Sequence, residues 1–566
     1  MKKFFAAFLF SFSFFTFSFS QDYLGIANSN FAGVNGIDLN PASIVNNPRK
    51  WDVTILGLNV MVANNYFGLN SVGRKYVLSG DKNPFDMKSS TVMNSNGKPV
   101  SVFFGTNIML PSFMFIRAKH KDAFGFTAKT RVYVNADGLD PTLADIAVNG
   151  QNDSSLFNQN LSNARLSAQA MVWNEYGITY GKTIMQTNNE RLNVAGRLKY
   201  LQGIGAIYLF VKDLKYNFYS KDSIGVQSST IHYGHSTNLE FNQQSAKFSS
   251  GGKPMFGLDL GATYEFHKLT DVRSREKSES KYTPLMREYK YKIGFSIQDL
   301  GWIKYLKPSD ARDFTAVVQS NMNLHSLQSS GTTPLGGADD SLKVKFKMDP
   351  DDNKFRMALP TLLSAQGDYY AGKNIYVNST MNYAFQMKNR ESKIHEVTNF
   401  SITPRWDWKW IGAYVPFSYN KYSHMRAGFT LRLGPLIIGT ADLLPLIAKK
   451  KTIKGLDFHF MLKVPHIHFH KHEKNPRSKS KFDVNKENKP LKRKKDKTHM
   501  PTRDVAPQEK KVEPKPEKRK KKEHSTEGID RGQKSSKHIF PRIHLFKKKN
   551  RHAGGGGEEK TIYFKL

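Results

Sequence analysis

Apolar and polar residues alternate along most of the chain between residues 51 and 464, and the run Gly455–Val464 shows the pattern most clearly. Its apolar positions are Leu456, Phe458, Phe460, Leu462 and Val464, and the positions between them are Asp457, His459, Met461 and Lys463. Successive side chains of an extended strand point to opposite faces, so this run predicts a strand with one wholly apolar face. Strands that are apolar outside and polar inside are typical of membrane-spanning β-barrels.

The same alternation recurs upstream in runs of 10 to 16 residues, including Leu166–Gly181, Phe256–His267, Tyr289–Gln298 and His424–Leu433. Such runs are long enough to cross about 25 Å of lipid at a tilt, whereas a soluble sandwich usually turns every 8 to 12 residues or so. Counting them gives about 14 strands. We therefore predict an all-β fold, a transmembrane antiparallel β-barrel of about 14 strands over residues 51–464.

Local signals predict three smaller elements within this region. Ser112–Lys119 and Ala123–Val134 should pair as a hairpin. Asp140-Pro141 should open one short helix that ends near Val148. Gly372-Lys373-Asn374 should form a hairpin turn rather than a phosphate-binding loop, because Ser or Thr is missing and no helix follows.

Three further regions flank the barrel. Residues 1–20 are predicted to be a signal peptide, with a basic start at Lys2-Lys3, an apolar Phe- and Ser-rich stretch and small residues before Gln21. Residues 21–50 lack periodicity and should be either a periplasmic leader or a plug in the lumen. Residues 465–566 are predicted to be a disordered tail.

Composition narrows the class of protein. Mean hydropathy is −0.52 and no apolar run after the N-terminus reaches the length of a spanning helix, which excludes an inner-membrane helical bundle. The chain has no Cys, so it has no disulfide, thiolate or lipidated N-terminal Cys. An exported barrel of this kind belongs in the outer membrane of a Gram-negative bacterium, in contact with its lipid.

The tail carries much of the charge. Residues 465–566 hold 31 Lys and Arg against 13 Asp and Glu, a net +18 of the chain's +37. Both ends of an even-stranded barrel lie on the periplasmic side, so we expect the tail to bind an anionic cell-wall or periplasmic protein partner there. The export signal argues against nucleic acid as a partner.

Basic residues also occupy the rows opposite the apolar face and should line the lumen. These are Lys129, Arg131, Arg197, Lys199, Lys290, Lys292, Arg426 and Arg432. Rings of Lys and Arg favour anions in a pore. The alternative is that these charges pair with one another or with a plug, and the residues leave both readings open.

Two other side-chain sets were considered for membrane and metal contacts. Trp406, Trp408 and Trp410 alternate at a strand end and predict an interfacial aromatic girdle. His466, His468, His470 and His472 share one face of an extended chain, but no Cys or carboxylate completes a metal site, so no cofactor or metal is expected. No Gly-x-Ser-x-Gly or comparable motif occurs, and we expect no enzyme activity.

Several short motifs resemble a Bacteroidetes outer-membrane family, domain of unknown function 5723. They are Asn40-Pro41-Ala42, Trp173–Tyr180, Gly196–Gly203, Gly434-Pro435-Leu436 and Gly455–Phe458. That family is in turn similar to the FadL long-chain fatty-acid transporter barrels, which carry an N-terminal hatch. The resemblance covers about residues 22 to 464 and implies that residues 21–50 are a hatch inside the lumen.

The sequence thus predicts a porin- or transporter-like barrel. It would bind or pass a small anionic or amphipathic solute through a basic lumen that the hatch gates. The alternative is a structural or accessory barrel whose basic tail tethers the outer membrane to the cell wall or serves a secretion system.

Overall fold

The computed structural model describes residues 25–69, 91–93, 97–149, 154–221, 223–237, 239–242, 245–248, 252–267, 289–307, 314–315, 318–323, 353–385, 394–443 and 454–465. Residues 1–20, the predicted signal peptide, and residues 466–566, nearly all of the predicted tail, lie outside these ranges. None of the helices in the described part of the chain is long and apolar enough to cross a membrane.

The strands are β1 (Trp51–Asn64), β2 (Phe67–Leu69), β3 (Thr91–Met93), β4 (Val100–Met109), β5 (Ser112–Arg117), β6 (Asp122–Leu139), β7 (Leu161–Gln186), β8 (Glu190–Ser220), β9 (Ser223–His235), β10 (Leu239–Asn242), β11 (Ser245–Phe248), β12 (Gly252–Lys253), β13 (Met255–Phe266), β14 (Tyr291–Leu306), β15 (Phe314–Thr315), β16 (Val318–Asn323), β17 (Lys354–Ala358), β18 (Leu362–Gly372), β19 (Ile375–Ala384), β20 (Asn399–Asp407), β21 (Ile411–Tyr414), β22 (Phe417–Asn420), β23 (His424–Ala427), β24 (Phe429–Leu433), β25 (Leu436–Thr440) and β26 (Gly455–Lys463). The helices are the 3₁₀ turns η1 (Gly33–Asp38), η2 (Pro41–Asn46) and η3 (Ser154–Leu156) and the α-helix α1 (Pro141–Asn149).

Antiparallel pairing closes these strands into a barrel. In order around the wall the strands are β1, β4 with β5, β6, β7, β8, β13, β14, β17 with β18, β19, β20, β21 with β22, β23 with β24, β25 and β26. β26 pairs back onto β1, with Phe460 opposite Leu58, so the first strand meets the last. The wall therefore has fourteen strand positions, as the sequence predicts, and its closure leaves the wall itself without an open edge.

The two ends of the barrel differ. At one end, here called the short-turn end, tight connections such as Gly372-Lys373-Asn374 join neighbouring strands, and the two loop residues Lys373 and Asn374 have φ of 50° and 63°, as a two-residue type I′ hairpin requires. The opposite end, the long-loop end, carries α1 and an extension in which β9 continues the pairing of β8 and is itself joined by β15 and β16. The predicted hairpin, short helix and turn are all confirmed.

The alternation places the apolar rows outside and the polar rows inside. Along β14, Tyr291, Ile293, Phe295, Ile297, Leu300 and Trp302 are exposed, while Gly294, Ser296 and Gln298 are buried. Tyr291 and Trp302 bracket the wholly apolar part of this outer row, and the strand between them is of the length that crosses a bilayer. The outer face of the wall is thus built to contact lipid.

A charge on this outer row should destabilise the barrel according to its depth. Phe295, which is 62% exposed, lies between the two aromatic residues, so Phe295→Lys should cost about 2–4 kcal/mol of unfolding free energy in liposomes. Leu306→Lys lies on the same row beyond Trp302 and should cost about 0–1 kcal/mol. Urea titrations of the two variants in lipid vesicles measure this difference, and equal costs would contradict an outer row immersed in lipid.

Candidate functional site

Residues 25–50, here called the N-terminal segment, lie inside the barrel rather than beyond its end. Asn40 begins η2, and its side-chain oxygen accepts a hydrogen bond from Ala42 N at 2.9 Å. Its amide nitrogen donates to Gln366 Oε1 at 2.9 Å and to the carbonyls of Ala262 and Phe295. A side chain at Gly261 on the inner wall would overlap Asn40, and one at Gly294 would overlap Gln366, the hydrogen-bond partner of Asn40, so glycine at these positions admits the segment.

The N-terminal segment contacts strands all around the lumen. Asn28 donates to Thr380 Oγ1 on β19 at 2.8 Å, and Ser29 donates to Asp407 Oδ2 on β20 at 2.6 Å. Ser296 on β14 donates to Leu39 O at 2.7 Å. The apolar residues of the N-terminal segment pack against the wall. They are Val34, Ile37, Ile44 and Val45, and their wall neighbours are Met109, Met114, Ile116 and Ala123. The segment is therefore a plug that noncovalent contacts hold in place.

Ion pairs connect Asp38 of the N-terminal segment to two basic residues of the wall. Arg197 Nη1 lies 2.7 Å from Asp38 Oδ1, and Lys129 Nζ contacts the same oxygen. Burial raises the pKa of Asp38, but the charges of Lys129 and Arg197 together outweigh it and hold that pKa below its ordinary value. Asp38 is thus a carboxylate that anchors the plug electrostatically.

The same ion pairs continue across the lumen. Lys199 Nζ lies 2.9 Å from Asp259 and 2.5 Å from Asp299, and Arg197 lies 2.6 Å from Asp259. Arg131 lies 2.8 Å from Asp299, 3.3 Å from Glu175 and 3.3 Å from Glu396. We call these residues the charge layer, and its members are Asp38, Lys129, Arg131, Glu175, Arg197, Lys199, Asp259, Asp299 and Glu396. Every one of these side chains is at most 10% exposed.

The charge layer combines four cations with five carboxylates, and their sources differ. The wall supplies all four cations but only three of the carboxylates, Glu175, Asp259 and Asp299. Asp38 comes from the N-terminal segment, and Glu396 comes from the connection between β19 and β20. The wall alone is therefore basic, and the two internal segments supply the carboxylates that complete its pairing.

An apolar cluster fills the lumen on the long-loop side of the charge layer. Its aromatic members, which we call the aromatic cluster, are Phe103, Tyr133, Trp173, Tyr208, Tyr305, Phe355 and Tyr422. Tyr133 and Trp173 meet edge to face with centroids 5.5 Å apart, and Tyr305 stacks on Phe355 at 5.4 Å. Arg131 lies over both the Tyr133 and the Trp173 rings. Cationic and aromatic side chains thus adjoin in the lumen.

The predicted lumen residues lie in five places. Lys129, Arg131, Arg197 and Lys199 are together in the charge layer. Arg426 pairs with Asp442 at 3.2 Å, and Arg432 pairs with Asp407 at 3.0 Å while its guanidinium lies over Phe31 of the N-terminal segment. Lys292 lies 3.9 Å from Asp368. Lys290 lies apart from these, over the exposed ring of Tyr369. These contacts favour the alternative in which the charges of the lumen pair with one another and with the plug.

The other two predicted sets lie elsewhere. Trp406, Trp408 and Trp410 are 42, 45 and 47% exposed at the short-turn end, and their role in an interfacial girdle stays a prediction. His466, His468, His470 and His472 lie outside the described residues. Among the residues that the structure describes, no group of three or more His, Asp or Glu side chains is arranged to hold a metal ion.

Sequence reasoning missed three acidic residues of the charge layer. Asp38 lies in a segment without periodicity, and Glu396 precedes its strand. Asp299 belongs by simple alternation to the outer row of β14, but a register shift opposite Leu258–Leu260, together with φ of 57° at Asp299, turns its carboxylate inward. An Asp in an otherwise aliphatic outer row is the signal that could have revealed the bulge.

A closed antiparallel barrel with an apolar outer row and a plugged, charged lumen defines an outer-membrane β-barrel. Residues 41–441 match the family model described as a family of unknown function, DUF5723, and the chain belongs to that family. The resemblance seen in the sequence is thereby confirmed.

Solved structures of hydrocarbon channels are similar to this chain. The P. putida toluene transporter TodX has a TM-score of 0.36 and 11% identity, covering 78% of this chain and 95% of that one. A TodX deltaS2S3 mutant has a TM-score of 0.39 and 11% identity, with 77% and 95% covered, and the CymD monoaromatic hydrocarbon channel has 0.17 and 10%, with 78% and 94% covered. No curated protein matches. The fold rests on the strand pairing rather than on these similarities.

Proposed function

We propose that this protein is a gated outer-membrane transporter that binds and passes a small amphipathic solute bearing a carboxylate or similar anionic group. The N-terminal segment is its gate on the short-turn side. The observation that carries the proposal is the placement of Asp38, which holds the plug to two wall cations through ion pairs that a competing anion can replace.

The adjoining chemistry supports the same solute class. Arg131 offers a cation beside the rings of Tyr133 and Trp173, so an anionic group and an apolar body find complementary surfaces a few ångströms apart. Polar contacts such as those of Asn28 and Ser29 can be exchanged for water when the plug moves. Transport then requires the segment to leave the lumen or shift within it.

A disulfide that fixes the N-terminal segment should abolish transport. The segment is covalently continuous with β1 at its far end, and a Cβ atom at position 25 would lie 3.6 Å from Thr430 Cβ, within the range of a disulfide. The chain has no native Cys, so Gly25→Cys with Thr430→Cys can form only this bond within one molecule. We expect uptake of 4-phenylbutyrate into proteoliposomes to stop on oxidation and to return on reduction.

The controls separate a fixed plug from a damaged one. Gly25 has φ of 98°, so Cys strains the backbone there, and the Gly25→Cys single variant carries the same strain without the tether. Its uptake should be insensitive to oxidant. Deleting residues 466–566 should leave uptake intact. If the barrel instead served only to tether the outer membrane to the cell wall through its basic tail, this deletion would abolish binding of the cell-wall partner. Equal uptake by the double variant in its oxidised and reduced states would overturn the proposal that the N-terminal segment is a gate.

A further inference from the structure

Residues 394–398, here called the inserted segment, enter the lumen from the long-loop end just before β20. Ile394 and Val397 are fully buried, and His395 and Glu396 are less than 9% exposed. The segment pairs with no strand. Instead the side chain of Asn135 bonds both backbone groups of His395, accepting from its N–H at 3.1 Å and donating to its carbonyl at 2.9 Å. The Asn135 side chain, a 2.7 Å contact between His395 Nε2 and Asp137 Oδ2 and a hydrogen bond from Ala384 N to Thr398 Oγ1 thus attach the segment in place of a strand ladder.

The inserted segment is amphipathic, and each part of it meets the matching part of the lumen. The Glu396 carboxylate accepts hydrogen bonds from Arg131 at 3.3 Å and from the Tyr133 hydroxyl. Ile394 and Val397 pack into the cluster that contains Trp173 and the other aromatic residues. An anionic group on the guanidinium and an apolar body among the rings is the arrangement that the proposed solute would adopt.

The fit between the inserted segment and the lumen is incomplete in one respect. The Trp173 indole N–H and the Tyr305 hydroxyl lie fully buried among the apolar members of the cluster, and neither has a hydrogen-bond partner among the residues that the structure describes. Buried donors are normally bonded, and leaving one unpaired costs about 1–3 kcal/mol. Ile394 and Val397 offer no side-chain acceptor, so the inserted segment leaves these two donors unpaired.

We propose that residues 394–398 are an internal stand-in for the solute: they occupy a binding site formed by Arg131, Tyr133 and the aromatic cluster, and an amphipathic carboxylate must displace them to bind. The proposal deepens the proposed function by naming the site and its ligand class. It also makes the inserted segment a second gate, on the other side of the charge layer from the N-terminal segment. Arg131, Glu175 and Lys129 link the two through ion pairs from Glu396 to Asp38.

Displacement is measured with a single Cys in this Cys-free chain. Val397→Cys should be protected from a water-soluble maleimide in the purified full-length barrel, and 4-phenylbutyrate should accelerate its labelling at least about tenfold, as expected when a ligand selects a sparsely populated open state. Met109→Cys, equally buried but on strand β4 beside the N-terminal segment, should stay unlabelled. The uncharged analogue 4-phenyl-1-butanol should have little effect, because it cannot replace the Glu396 carboxylate.

A second variant tests the competition itself. Glu396→Gln weakens the contacts that hold the inserted segment in the lumen, so the state in which the segment is displaced becomes more populated. Calorimetry should therefore show that 4-phenylbutyrate binds this variant more tightly than the native chain, by about the same factor as that population increases. Unchanged labelling of Val397→Cys at saturating 4-phenylbutyrate, or weaker binding by Glu396→Gln, would overturn the proposal that the inserted segment occupies the solute-binding site. Neither readout involves transport. If 4-phenylbutyrate displaces the inserted segment but is not taken up into proteoliposomes, the proposed transport fails while the proposed binding site stands.

Discussion

Removing both internal segments should convert a non-conducting barrel into an open pore, whereas removing either one should leave it almost closed. The N-terminal segment and the inserted segment lie on opposite sides of the charge layer, and constrictions in series limit current by the narrower one. The variant deletes residues 25–46 and replaces residues 394–398 with Gly and Ser. Planar-bilayer recordings should then show discrete conductance steps for this double variant and near-baseline current for each single variant.

The open pore should also prefer anions. Without the two segments the charge layer loses Asp38 and Glu396, and four wall cations face three wall carboxylates. A lumen with excess basic charge favours anions, and the preference weakens as salt screens it. Reversal potentials across a potassium chloride gradient measure the sign. Cation preference, or full conductance after deletion of residues 25–46 alone, would contradict the account of two segments that each supply one carboxylate.

The sequence predicts the wall better than the contents of the lumen. A two-residue period has the same meaning wherever a strand separates lipid from a polar interior, so the rows around Phe295 and Phe458 could be assigned from residue type alone. The strand count followed from the same rhythm. Only closure, seen in the pairing of β26 with β1, needed the structure.

The pairing of the lumen charges could not be predicted, because it depends on contacts between residues far apart in sequence. Asp38 meets Arg197 across 159 residues, and Arg131 meets Glu396 across 265. No local pattern encodes either distance, since neither carboxylate lies on a regular strand. Residue type alone could assign part of the basic rows to the inner face. Whether those residues face a solute or fixed carboxylates depends on the N-terminal segment and the inserted segment, neither of which has a periodic sequence.

Arg131 should be the most costly single residue of the charge layer to remove. Its side chain is 6% exposed, contacts Glu175, Asp299 and Glu396, and donates a hydrogen bond to the Tyr133 hydroxyl at 2.7 Å. Arg131→Met keeps much of the side chain's length and leaves these carboxylates without that cation. Breaking a buried ion pair from one side costs about 3–5 kcal/mol, because the remaining charge stays buried without compensation.

Urea unfolding of the barrel in lipid vesicles measures this cost, and two further variants identify its cause. Arg356→Met removes an exposed wall arginine that lies over the ring of Trp302, and it should unfold much like the native chain because water already solvates that guanidinium. Adding Asp299→Asn to Arg131→Met should recover part of the loss, since it restores the original excess of one carboxylate over the cations of the charge layer. Equal effects of Arg131→Met and Arg356→Met would mean that water reaches the charge layer and screens it, and the lumen would then be an aqueous channel rather than a closed one.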